Sequence, residues 1–280
     1  MGETYFTPTF HVLEQEGYLA QACLCNGLTA LRHANLGEAQ KGLFYSAFFE
    51  LSIGFERMMK LIVILDHMGR HDLRPPPKKD IEGLGHKLIN LFAEAKKIGF
   101  SLGIDALDQH GPLSVSYRTL VFLNDFAHTD GRYSNINHLI GQPSSSKTEP
   151  LRAWGQLAQG ILRDCATARE RARVEVSGKQ MNKKVGSMVF TLISDLNQTT
   201  PDLRNLVSNV AALDVAGKYA TIALVELIVS LRTIVEAVAY RADEAGQKVH
   251  GDLANIPAMG EFFEFAWAEP SVVRRKMRWP

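Results

Sequence analysis

Cysteine is scarce in this 280-residue chain. Only Cys23, Cys25 and Cys165 occur, an odd number with no CxxC spacing, which excludes a disulfide framework and a thiolate zinc site. On a helix Cys23 and Cys25 would point about 200° apart, so they make poor joint ligands. Long apolar runs are missing too. The most apolar stretch, around Ile222 to Tyr240, is interrupted by Glu226, Arg232 and Glu236, so no membrane span is expected. The start, MGETYFTPTF, has neither a basic nor an apolar signal region, and a cytoplasmic protein with reduced thiols is the expectation. No charge of one sign dominates. The net charge is +1, so contact with nucleic acid would need a local patch rather than a basic coat. Phosphate-loop, HExxH and GxSxG patterns are all lacking, which removes the main motif-bearing nucleotide, zinc-protease and serine-hydrolase classes. No cofactor and no metal site are called for.

What is present is helical periodicity. Hydrophobic residues make up 46% and charged residues 22%, enough for a substantial core. Apolar positions three and four apart predict helices over about 10–34 and 38–68, the second apolar almost all round and therefore central in a bundle. Pro75, Pro76 and Pro77 interrupt the pattern. Shorter helices are expected over about 84–98 and 112–129, and longer ones over about 151–176, 184–196 and 215–245. Thr200 before Pro201 reads as a helix start. No strand-type alternation of useful length occurs. The fold class is all-α: a helical bundle followed by a second set of long helices. The polar stretch Gly131–Pro150, with Ser144, Ser145 and Ser146, suggests a boundary that divides the chain into 1–147 and 148–280.

Eight of the nine histidines lie at or before His138, so candidate chemistry gathers in the first half. Arg118 and Asp125 are seven apart and share one helix face, which His128 and Arg132 would join if the helix continued. His138 follows Arg132 by six residues, and the two converge only across a helix boundary or between two copies. An imidazole exchanges protons near neutral pH, and a guanidinium holds phosphate oxygens and developing negative charge. With a 2′-hydroxyl as nucleophile, RNA could be cleaved by such a pair without a metal. On the second helix Ser46, Glu50, Arg57 and Lys60 form a polar stripe, with Glu56 and Lys60 spaced as an ion pair. Arg57 and Lys60 could grip phosphates in a cleft that His86 and Lys87 also line.

Three segments carry a family likeness: SAFFELSIGFERMMKLIVIL on the second helix, GLGHKLINL at Gly83–Leu91, and FLNDFAHTDGRYSNINHL, in which Arg132 and His138 fit an Arg-x4–6-His pattern. Over about residues 9–140 the chain resembles the HEPN group of helical proteins. The resemblance implies a helical bundle and a homodimer that assembles Arg132 and His138 as the catalytic pair of a metal-independent endoribonuclease. Toxin–antitoxin and phage-defence systems are its expected setting, with RNA and a protein partner or antitoxin as the other molecules involved. Arg118, Asp125, His128, Arg57, Lys60 and His86 would bind or orient the substrate. The family's motif usually opens a helix, whereas here the segment reads as loop. The alternative is a non-catalytic dimerisation or binding protein, a subunit or scaffold, for which the apolar excess of the second half speaks. The basic end, SVVRRKMRWP, is expected to fray.

Overall fold

A computed structural model describes residues 5–128, 133–141, 149–185, 192–251 and 253–280. The chain is 75% helical, with no strand among the described residues. Helix α1 spans Pro8–His33, and the Thr7 hydroxyl oxygen caps it by accepting from the Phe10 N–H at 3.3 Å. Helix α2 runs over Glu38–Arg70. After the prolines come α3 (Lys78–Leu84), α4 (Leu88–Ser101) and α5 (Val115–His128). Then follow α6 (Ser134–Leu139), α7 (Pro150–Cys165), α8 (Ala168–Val185) and α9 (Leu203–His250). A 3-10 segment, Glu261–Ala266, and α10 (Pro270–Arg275) end the fold.

The centre of the molecule is α2. Phe44, Phe48, Phe55, Met58, Met59 and Ile62 are essentially inaccessible, as expected for a helix apolar on nearly every side. Helix α1 packs antiparallel to it at two reciprocal close approaches. A Cβ on Gly27 would stand 2.6 Å from Leu51 Cγ, and one on Gly54 would stand 2.7 Å from Leu24 Cγ. Glycine at both positions lets the backbones meet. Helix α9 crosses the other side of α2 and also touches α1, α4, α5, α7, α8 and α10. Trp154 of α7 inserts beside Phe44, Phe48 and Phe122. The buried residues before and after the 142–148 segment form one continuous hydrophobic cluster. The expected boundary at 147/148 falls outside the described residues.

Several elements differ from expectation, each for a local reason. The helix expected over 151–176 is two helices, broken at Ala166, because Thr167 opens a new one. Its hydroxyl accepts from the Glu170 N–H at 3.2 Å, while the Glu170 carboxylate accepts from the Thr167 N–H at 2.9 Å. Residues 192–196 are not helical, and Asp202 rather than Thr200 caps α9. The 133–141 stretch, read as loop, contains α6. The basic end does not fray: Trp279 is 7% exposed, and its backbone N–H donates to Thr29 Oγ1 at 3.0 Å. Arg32 Nε also donates to the Lys276 carbonyl at 3.3 Å.

Candidate functional site

The polar stripe on α2 opens into a cleft of about 400 Å³, lined by Glu16, Glu56, Arg57, Lys60 and His86 over an apolar floor of Ile53, Leu61 and Ile64. Glu56, Arg57 and Lys60 reach it because they are adjacent or one turn apart on α2. His86 arrives from a different element. Gly85 ends α3 at φ +54°, a conformation suited to glycine, and turns the chain so that His86 precedes α4.

Glu56 organises the cleft. Its carboxylate accepts from Lys60 Nζ at 2.7 Å and contacts His86 Nδ1 at 2.8 Å. Burial of the Glu56 side chain works to raise its pKa, but the bonds from Lys60 and His86 prevail and hold it below the ordinary value. With Glu56 ionised, the His86 contact is donated by Nδ1–H, which leaves Nε2 as the ring nitrogen that Glu56 does not engage. Arg57 is paired with Glu16 of α1. The cleft therefore holds a carboxylate-oriented imidazole beside two cations, each already matched by a carboxylate. Such a set can move a proton and hold an anion only by exchanging partners.

The remaining candidates lie elsewhere. Arg118 turns toward α7 and pairs with Asp164 at 2.9 Å. Asp125 is exposed in the last turn of α5 and accepts from Asn124 Nδ2 at 3.2 Å. Asn124 in turn accepts from the Ile89 N–H at 3.4 Å, at the first turn of α4, so this end of α5 adjoins the segment that carries His86. His128 ends α5 and its side chain lies outside the described residues, as does all of Arg132. His138 is exposed in the last turn of α6. Asn135 of α6 bonds to the Tyr45 hydroxyl, which also donates to Glu149 at 2.9 Å. Tyr45 lies about 16 Å along α2 from Glu56. The fold thus joins Arg57, Lys60 and His86 and keeps Arg118 and His138 apart from them.

Sequence reading missed Glu16 and the part played by Glu56. The Glu56–Lys60 spacing was a visible signal; the pairings of Glu56 with His86 and of Glu16 with Arg57 are tertiary and leave no local trace. His67 and His71 stack at 4.0 Å, but neighbouring Asp66 is taken by Arg70 and Arg241. No group of three His, Cys, Asp or Glu side chains among the described residues is placed to hold a metal ion. No helix among them is long and apolar enough to cross a membrane. On and beside α6, Tyr133, Ile136, Leu139 and Ile140 are all more than half exposed. Comparison with protein-family models, curated proteins and solved structures finds no match to this chain.

Proposed function

We propose that this chain is a HEPN-like, metal-independent endoribonuclease that works as a homodimer, with Arg132 and His138 as its catalytic pair. One observation carries the reading: the Glu56-oriented His86 shares an open cleft with Arg57 and Lys60. That arrangement suits holding an RNA phosphate away from the scissile bond, its cations shifting from carboxylate to phosphate. Arg132 would stabilise charge on the phosphorane-like transition state, and His138 would transfer the proton. The test is incubation of the protein with mixed cellular RNA in EDTA, beside an Arg132→Ala/His138→Ala double variant and a separate His86→Ala variant. The reading expects cleavage by the unmodified chain, none by the double variant, and a weakened reaction in His86→Ala. Equal cleavage by the unmodified chain and the double variant removes the assigned pair.

A second reading is favoured by the exposed apolar stripe of α6, which would suit a docking role in a non-catalytic subunit or scaffold of a defence complex. It expects no RNA turnover and a stable protein complex, lost when Ile136 and Leu139 are both changed to Ser.

A further inference from the structure

A second cleft, sharing no residue with the one at Glu56, lies between α9, the 109–116 turn and α10. Its volume is about 380 Å³, within the range of small-molecule sites, roughly 300–1,000 Å³. One wall is polar and rigid. His110, 4% exposed, is hydrogen-bonded through Nδ1 to Ser116 Oγ at 2.7 Å and through Nε2 to Ser230 Oγ at 2.9 Å. Ser114 Oγ extends the chain to Ser116 at 3.0 Å. Such a network is fixed before any ligand arrives.

Two charges face the same space, and neither forms an ion pair with any described residue: Glu226 and Arg274. The Arg274 guanidinium stands 6.0 Å from the ring centre of Tyr219. Glu226 lies two turns beyond Tyr219 on α9, a backbone rise of about 10 Å. Partial burial raises the Glu226 pKa, and no described cation offsets it. Both residues are exposed and form no ion pair with each other, and burial is the one influence on Glu226, with no contribution from Arg274. A molecule lying between them and carrying an ammonium and a carboxylate a few ångström apart can bond to both. Next to Glu226 a smaller space, about 210 Å³, continues past Val225 and Val229 to Trp267. An apolar side chain would lose water there.

We propose that this cleft binds a small zwitterion with an apolar side chain, an amino acid in chemical class, its ammonium on Glu226 and its carboxylate on Arg274. The proposal is independent of any activity at Glu56. The test is calorimetric titration of the full chain with L-leucine, L-valine and L-phenylalanine, then with leucine methyl ester and N-acetylleucine. At least one free amino acid should bind, and each blocked leucine should bind about tenfold or more weakly than leucine. Glu226→Gln should erase the difference between leucine and N-acetylleucine, and Arg274→Met the difference between leucine and its methyl ester. Neither side chain supports the fold through an ion pair, so both variants should melt like the unmodified protein. The blocked compounds test the same contacts with no substitution at all. Binding of none of the three amino acids would overturn the proposal. So would leucine binding that both substitutions and both blocked compounds leave unchanged.

Discussion

Asp66 shows how much one buried charge can hold together. It is 7% exposed on α2 and accepts from Arg70 of its own helix and from Arg241 of α9. Because Arg241 Nε already lacks a partner, removing the carboxylate would leave the guanidinium with little to bond. Asp66→Ala should therefore cost about 2–3 kcal/mol in urea unfolding, less than a fully buried broken pair because both arginines keep contact with water. His110 makes a different prediction. Burial pushes its pKa down to about 4, so the folded protein keeps it neutral where the unfolded chain binds a proton. Its contribution is then complete above pH 6.5 and declines as pH falls toward 4, by on the order of 2 kcal/mol. Glu226, in the same cleft, titrates in the opposite sense because its pKa is raised. Comparing His110→Gln with the unmodified chain isolates the histidine: the variant should show a flatter stability profile between pH 7 and 5. An identical slope in both would place the titration elsewhere.

At the scale of the element, α8 buries the fewest residues of the long helices. Among its described residues only Val174 and Gly178, one turn apart, are buried, and they face α9. A Cβ on Gly178 would come within 2.5 Å of the Arg204 carbonyl oxygen, a backbone atom that cannot rotate away. Gly178→Ala should therefore lift α8 from α9 while the bundle around α2 stays folded. Hydrogen exchange would read this as lost protection confined to about residues 168–185. Glu170 fastens the other end of the same helix. Burial works to raise its pKa, yet Lys218, the Thr167 N–H and the Tyr219 hydroxyl hold it at about 2, so this anchor weakens as pH falls from 4.5 toward 2.

This region also shows which elements were legible in the sequence. Helices α1, α2 and the 215–245 part of α9 followed from periodicity because each presents many turns to the core, whereas the first twelve residues of α9 did not. The break between α7 and α8 was written in Thr167-x-x-Glu170, but an apolar pattern running across it masked the cap. The site was legible only along one helix. Arg57 and Lys60 share a stripe, whereas bringing His86 to Glu56 depends on the turn at Gly85 and on how α4 packs.

At the scale of the whole molecule, the last residues act as a strap. Trp279 is buried against α1, some 250 residues away in sequence, and Arg32 holds the Lys276 carbonyl and meets Met277 Sδ at 3.1 Å. Burying one aromatic side chain contributes about 2–3 kcal/mol. Deleting residues 276–280 should thus lower the melting temperature by several degrees and shift the urea midpoint without changing helix content. An unaltered melting curve would show that the strap rests on the surface without holding it.

The 48-residue α9 touches nearly every other long helix and lies far along the chain. During synthesis, then, the apolar flank of α2 that α9 covers leaves the ribosome well before its cover does. Chains grow at about 5–20 residues per second, so that flank stays open to water for several seconds to half a minute. A chain stopped before residue 203 would keep it open permanently. Nascent chains of that length should associate with chaperones or aggregate, and release should coincide with the emergence of α9.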